Sequence, residues 1–424
     1  MGISPTGLSH LLRPRLHHLP RRPATRVRRG SRAATPDAPA TGALLDGLLG
    51  QVAEQLGRPL PARLRKAFHR VPRHRFLPDR IWLRDGSGGY RSVDRATEPD
   101  GWLAAAYTDQ PLVTRFTDGL PSSSASMPSM VARMLLLAGL TEPTGQGQAP
   151  LRVLELGAGT GFNAGLLCIL AGDEQVTTVD LDPTLAAGAQ ENLKRVGRAP
   201  TVVAADGAGG WPPGAPYDVV LATFSVDHIP PEWLAGIRPA GGRIVTPWTS
   251  PWCSYGTLEL TATDTGPAHG RFHSFASFMP MARSHAESRP STTAPAGDDS
   301  AAASSTGLSP WAVAGGDLDA EFHIGLTVPD ASYAWDTSGD HAHTRLQIQD
   351  AATGSWATVD YDGRTAADFT VAQAGPRQLW DEVTAAYWRW EELGRPSVDR
   401  YGLTMTTGTT VVWAGSPASP VAER

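Results

Sequence analysis

The apolar positions of this chain change their period as the sequence advances. Leu44, Leu45, Leu48, Leu49, Val52 and Leu56 recur at helical spacing, so an amphipathic helix opens the folded part. A second helix follows over 60–70 and stops near Pro72, and residues 84–101, rich in Gly, Asp and Arg, read as a loop or short hairpin. From residue 151 the pattern becomes a regular alternation. A short apolar run, Leu151 to Leu156, meets Gly157, Gly159 and Gly161, and a helix over 162–171 leads to a strand over 175–180. A helix over 184–196 leads to a strand over 201–205, which ends in Asp206 and Gly207. Tyr217 and Asp218 open the strand VVLATF, a helix covers 231–236, and Gly241 and Gly242 precede the strand RIVTPW. Alternating strands and helices predict an α/β fold: a doubly wound, mainly parallel sheet with a ligand at the carboxyl ends of its strands.

Beyond residue 247 the period shortens towards two. LELTAT at 258–263, FHSFASFMP at 272–280, and the stretches 321–329, 344–349 and 355–361 read as further strands. Residues 283–309 are low in complexity and read as a mobile surface linker. A helix over 378–393 carries Leu379, Val383, Tyr387, Trp390 and Leu393 on one face, with Trp380 and Trp388 outside that run. Its aromatics are expected to pack on the C-terminal sheet, with any exposed members open to a peptide. Tyr401 to Thr406 and Thr409 to Trp413 form a terminal strand pair around Thr407 and Gly408. These signals divide the chain into a disordered basic extension (1–40), an N-terminal helical, substrate-side region (41–140), a ligand-binding α/β domain (141–282), a linker (283–316) and a C-terminal α+β module (317–424).

The glycine turn carries the candidate chemistry. Glycines let a ligand approach the backbone, a helix start offers N–H groups, and an acid ending the next strand, Asp180, can bind a ribose diol. An adenosine-containing cofactor is therefore expected. The spacing Glu155-x-Gly157-x-Gly159-x-Gly161 brings the third glycine one residue earlier than the dinucleotide fingerprint does. It resembles motif I of the class I S-adenosylmethionine (SAM)-dependent methyltransferases. That resemblance implies a Rossmann-like fold, SAM as cofactor, Asp180 on the ribose hydroxyls, and Asp206 with Gly207 near the adenine. Glu155 then either contacts the methionine amine or shields the turn backbone.

Upstream, VPRHRFLP at 71–78, AYTD at 106–109 and SMPSMVA at 126–132 occur in that order before the glycine turn. Together with the region from Tyr217 to Trp248 they resemble the protein-L-isoaspartate O-methyltransferase family over roughly residues 45–250. The resemblance implies that Ser126 is the active-site serine and that Asp109 is the acid of the A-Y-x-D segment. Ser124, Thr223 and His228 complete the substrate-side candidates. Read without the family, Ser126 is a helix N-cap before Pro128, since serine is favoured there and proline at the first helical position.

The approach to the serine departs from the family's G-Q-T-x-S. Here it is Leu120-Pro121-Ser122-Ser123-Ser124-Ala125-Ser126, similar to an actinobacterial subgroup encoded beside lanthipeptides and graspetides, and residues 379–413 resemble that subgroup's extra module. This implies an enzyme that methyl-esterifies an aspartate of a ribosomally made peptide, leading through a succinimide to aspartimide or isoaspartate. The alternatives are a repair enzyme acting on isoaspartate in damaged proteins, and a non-catalytic peptide-binding scaffold.

Composition adds bounds. A formal charge of −5 is mild and is neutral on nucleic acid, and no apolar run is long enough for a membrane span. The expected partner is a peptide or protein, with no nucleic acid and no membrane, in the cytoplasm. Cys168 and Cys253 are too few and too separated for a disulfide framework or zinc site, and His341 with His343 lacks a third ligand at metal spacing. Residues 1–36 hold many arginines (Arg13, Arg15, Arg21, Arg22, Arg28 and Arg29 among them) and no acid. They read as a disordered extension, with a transit peptide or a nucleic-acid-binding tail as alternatives.

Overall fold

The computed structural model describes residues 38–86, 88–142, 149–274, 278–281, 302–337, 344–361, 368–406 and 408–424. The chain divides into two units, Met1–Gly207 and Ala208–Arg424. The basic extension, His341, His343 and Thr407 lie outside the described residues.

The first unit begins with α1 (Ala38–Leu56) and α2 (Ala62–Arg70), and Leu45, Leu48, Leu49 and Val52 form the buried stripe of α1. Four antiparallel strands follow in the order β2–β1–β3–β4: β1 (Arg80–Arg84), β2 (Tyr90–Asp94), β3 (Leu112–Thr117) and β4 (Leu120–Ala125). Ile81 faces Val93 across β1 and β2, and both are fully buried. The stretch 84–101 is thus a hairpin in its first part. Its end starts a helix, α3 (Pro99–Ala106), whose proline stands where a missing N–H is harmless.

After α4 (Pro128–Leu137), three parallel strands run in the order β5 (Val153–Leu156), β6 (Val176–Asp180) and β7 (Thr201–Ala204). The crossovers are α5 (Phe162–Ala171) and α6 (Pro183–Arg195). All four residues of β5 are buried, as a parallel strand covered on both faces should be. Gly165 lets the segment 71–76 lie close on α5, because a Cβ there would sit 2.9 Å from Val71 Cγ1 and 3.1 Å from Phe76 Cζ. Phe76 also meets Phe162 edge-on, with ring centroids 5.7 Å apart.

In the second unit, β8 (Val219–Ala222) and β9 (Arg243–Pro247) are parallel and joined through α7 (Pro231–Gly236). β10 (Thr257–Thr261) and β11 (Ala268–His273) continue antiparallel from β9. A strand expected over 272–280 therefore starts earlier and ends at His273, and residues 275–277 lie outside the described set. β12 (Ala302–Thr306) is an edge strand, so the predicted linker is ordered over its last part. Residues 283–301 of that linker lie outside the described set.

The stretch 321–329, expected to be a strand, belongs mostly to a helix. After α8 (Pro310–Val313), α9 spans Leu318–Thr327, and Asp317 caps it by accepting the Asp319 N–H at 2.9 Å. Asp319, Glu321 and His323 alternate with Ala320, Phe322 and Ile324 as in a strand, and 320–326 are all buried, so no exposed polar face marks the helical period. β13 (Ser332–Asp336), β14 (Thr344–Asp350), β15 (Ser355–Tyr361) and β16 (Phe369–Ala374) join β12 in an antiparallel sheet of order β12–β16–β15–β14–β13. On it packs α10 (Leu379–Glu392), with Leu379, Trp380 and Val383 in one core with Leu346, Val359 and Val371. Trp388 instead stands 52% exposed. The chain closes with β17 (Tyr401–Thr406), β18 (Thr409–Ala414) and β19 (Pro420–Glu423), β17 pairing with β11.

Among the described residues no helix is long and apolar enough to cross a membrane, and no His/Cys/Asp/Glu group of three or more is placed to hold a metal. Gly165→Val should lower the unfolding free energy by about 1–3 kcal/mol through overpacking against Val71 and Phe76. A denaturation midpoint equal to wild type would show that 71–76 does not rest on α5.

Candidate active site

The glycine turn forms where β5 stops, and its three glycines have φ of +93° (Gly157), +52° (Gly159) and +84° (Gly161). These are left-handed conformations that side chains disfavour. A Cβ at Gly161 would lie 3.1 Å from the Ala189 carbonyl oxygen, so this glycine also seats α6. At Gly159 the nearest atom to such a Cβ is the Ser124 carbonyl oxygen, at 3.8 Å, so β4 passes beside the middle glycine.

Asp180 ends β6 and turns its carboxylate to the same point. Oδ2 accepts the Gly159 N–H at 2.8 Å, and Oδ1 accepts the Asp182 N–H at 3.0 Å. Burial holds its pKa above the usual carboxylate value, against the pull of those two N–H groups. An ionised carboxylate has roughly four acceptor positions, so two remain for a diol. The Ala205 N–H donates to the Asp180 carbonyl at 2.9 Å, which brings the end of β7, and with it Asp206 and Gly207, alongside. Bare backbone, a strand-end acid and the adjoining strand end fit an adenosine cofactor.

Glu155 is fully buried one residue before the end of β5. Its Oε1 accepts the Asn163 amide at 2.8 Å and its Oε2 the Thr178 hydroxyl at 2.5 Å, tying β5 to the start of α5 and to β6. Both of its carboxylate oxygens are thus engaged by side chains of the protein. Burial pushes its pKa up to about 7, opposed by the Thr178 and Asn163 hydrogen bonds.

Ser126 is half-buried in the two-residue link between β4 and α4. It does not cap the helix: the N-cap position is Met127, and no side chain at that position bonds back. The acceptor at this helix start is Asp109, whose Oδ1 takes the Ser129 N–H at 2.8 Å. Asp109, expected on the substrate, is thus engaged in holding α4. Ser124, paired with Val113 across the hairpin, lies between Ser126 and the glycine turn. Arg115 of β3 pairs with Asp182, which also caps α6 by accepting the Thr184 N–H at 2.7 Å, so the hairpin is tied to the loop after β6.

Arg73 was not a predicted site residue. It sits in a short 3-10 turn, and its side chain is as buried as the core leucines. Its guanidinium donates to the carbonyls of Ala106 (3.2 Å), Thr108 (3.1 Å), Gln110 (3.0 Å), Ala125 (3.1 Å) and Ser126 (3.0 Å). Burial lowers its pKa to about 10 while nearby Asp109 raises it, so it remains a cation at neutral pH. The VPRHRFLP segment was the available signal, but nothing local marks one arginine in it as buried. Next to it, His74 Nδ1 lies 2.7 Å from the Tyr107 hydroxyl, and burial lowers the His74 pKa to about 4, leaving a neutral ring at pH 7.

The first unit therefore brings together Asp109, Ser124, Ser126, the three glycines, Glu155 and Asp180. Thr223 and His228 belong to the second unit, in the segment after β8. His228 is exposed, with Nδ1 2.6 Å from Asp227 Oδ1, and that hydrogen bond raises its pKa.

Residues 89–257 match the family described as Protein-L-isoaspartate(D-aspartate) O-methyltransferase (PCMT). The chain is similar to the protein-L-isoaspartate O-methyltransferase of Pyrococcus abyssi, 30% identical over 220 residues, covering 51% of this chain and 85% of the relative. It is similar to that of Methanopyrus kandleri, 32% identical over 223 residues, covering 52% of this chain and 83% of the relative. A solved structure titled protein-L-isoaspartate O-methyltransferase superposes with a TM-score of 0.50 at 20% identity, covering 88% of this chain and 99% of that one. At that identity it supports the shared fold.

The Glu155 carboxyl has a folded pKa of about 7 against an ordinary 4.5, so the folded state keeps its proton longer. Its contribution is intact at low pH, falls as pH rises from 4.5 to about 7, and is fully unfavourable above that. Glu155→Gln should therefore stabilise the protein at pH 8 by roughly 1–3 kcal/mol and lose that advantage below about pH 4.5. A pH-independent difference in melting temperature would show that Glu155 does not titrate in this range. Asp180→Ala should weaken SAM binding by about 1–3 kcal/mol in calorimetry, and unchanged affinity would remove Asp180 from the cofactor site.

Proposed function

Since the chain belongs to the protein-L-isoaspartate O-methyltransferase family and is a SAM-dependent carboxyl O-methyltransferase, we propose that it esterifies the side-chain carboxylate of an aspartate in a ribosomally synthesised peptide. The observation that carries this reading is the passage of the serine strand beside the cofactor turn, with the Ser124 carbonyl oxygen 3.8 Å from where a Gly159 Cβ would be. Ser126, two residues on, is then at the boundary between cofactor and peptide.

Bound SAM supplies a methyl group on a sulfonium, open to in-line attack by an oxygen nucleophile. A peptide aspartate with a pKa of about 4 is already ionised at neutral pH, so the site needs no general base. The Ser126 hydroxyl donates to one carboxylate oxygen and leaves the other to attack. Alignment and removal of water from the nucleophile supply the rate. In the ester, the next backbone nitrogen attacks the side-chain carbonyl and expels methanol, giving the succinimide, which is the aspartimide. Water reopens that ring to isoaspartate or aspartate.

One feature favours a biosynthetic peptide over a damaged protein: the approach Leu120 to Ser126 is serine-rich in place of G-Q-T-x-S. The roughly 165 residues beyond the family match at 257 do not separate the two readings, since the solved protein-L-isoaspartate O-methyltransferase fold covers 88% of this chain. The half-exposed Trp388 on α10 and the Trp311–Trp335 stack, with centroids 4.2 Å apart, give that region aromatic surface suited to a peptide. A cytoplasmic location follows from such a substrate. The names of the relatives favour the second reading, repair of isoaspartyl residues.

The two part on substrate. With SAM, the enzyme should methylate the precursor peptide encoded beside its gene much faster than a generic isoaspartyl peptide, and the reverse order would establish repair. Ser126→Ala should cut turnover by about 100-fold while leaving SAM affinity unchanged. Loss of cofactor affinity instead would place Ser126 outside the transfer step.

A further inference from the structure

We infer that Arg73 is the positioning residue of this site: a buried cation that sets the backbone around Ser126 by gripping five carbonyl oxygens. The inference rests on the reading of Ser126 as the group that holds the substrate carboxylate.

The five carbonyls come from two separate stretches. Ala106 ends α3 and Thr108 and Gln110 lie between α3 and β3, while Ala125 ends β4 and Ser126 opens the link to α4. Arg73 thus joins segments that are 33 to 53 residues away from it in the chain. None of these bonds is to a carboxylate. The nearest acid, Asp109, stands between the gripped Thr108 and Gln110 and holds the Ser129 N–H at 2.8 Å. Arginine and aspartate therefore clasp the same link from its two sides, one by its carbonyls and the other by an amide.

A carbonyl fixed in direction fixes the whole peptide plane that contains it. With the Ala125 and Ser126 carbonyls both turned to Arg73, the two peptide planes that flank the Ser126 Cα are set, and with them the direction from which the Ser126 side chain leaves the backbone. A planar fork with five N–H donors can serve carbonyls on two strands together, whereas a lysine ammonium with three donors cannot reproduce that spread. A site whose rate comes from alignment should be sensitive to this, since a misplacement of about 1 Å can cost about 100-fold.

The test compares the S-adenosylhomocysteine complexes of wild type, Arg73→Lys and Asp109→Ala by amide hydrogen exchange, together with steady-state methylation of an aspartyl and an isoaspartyl peptide. In Arg73→Lys, exchange over 104–112 and 121–132 should rise about tenfold or more, while 151–163 stays protected and S-adenosylhomocysteine affinity stays within about twofold. On the peptide that wild type accepts, kcat should fall by about 100-fold with KM nearly constant. Asp109→Ala should loosen 126–132 and leave 104–110 protected, because the arginine grip persists. This variant decides the matter if Arg73→Lys does not fold.

Unchanged exchange over 121–132 in Arg73→Lys would overturn the proposal. So would loosening of 151–163 in step with lost cofactor affinity, or equal loosening of 104–110 in Asp109→Ala. If wild type methylates neither peptide, the reading of those peptides as substrates falls, and the exchange data still judge the grip of Arg73 on 104–112 and 121–132.

Discussion

The first unit depends on a stretch of bare backbone. At Gly157, Gly159 and Gly161 the chain leaves a fully buried strand and enters a buried helix through three left-handed residues. No side chain fits that path without strain. The lack of side chains has consequences on both sides of the turn. At Gly161 it lets α6 close in, and at Gly159 it leaves the β4 carbonyls next to the space a ligand needs. The cofactor turn and the serine strand thus share a boundary made of main-chain atoms.

Around that boundary Glu155 and Arg73 are buried with no counter-ion hydrogen-bonded to them, and each is handled by neutral dipoles. Glu155 is met by an amide and a hydroxyl, and burial carries its pKa towards neutrality. Arg73 is met by five carbonyl oxygens and stays charged. Burying an ion without hydrogen bonds is prohibitive, so each group requires its partners to remain in place. Both therefore act as rigidifying nodes, one below the cofactor turn and one behind the serine. That suits a reaction in which the nucleophile is already ionised and the protein contributes mainly geometry.

The second unit follows a different logic. Its five-stranded antiparallel sheet is covered by α10, which buries Trp380 and Val383 and leaves Trp388 outward. A half-buried Arg377 pairs with Asp350 and Glu382 at the edge of that core and donates to the Pro329 carbonyl at 2.8 Å. This region holds itself together by ordinary packing and ion pairs.

The sequence by itself determined the parts whose signals are local. The helices at 162–171 and 231–236 appear at the predicted bounds, and the strands around them lie within a few residues of expectation, because a short apolar run, a glycine turn and a proline or capped helix start are written in consecutive residues. Asp180 was legible for the same reason, as the acid that ends the strand after the turn. The tertiary structure decided whatever depends on distant partners. In Leu318–Thr327 the polar Asp319, Glu321 and His323 alternate with apolar residues, a period of two, and 320–326 are all buried, so the helical period was hidden. Asp109 caps a helix that starts 19 residues later, and Arg73 finds its carbonyls up to 53 residues away. A side chain's burial and its bonds arise only when such segments meet, and no pattern of neighbouring residues encodes them.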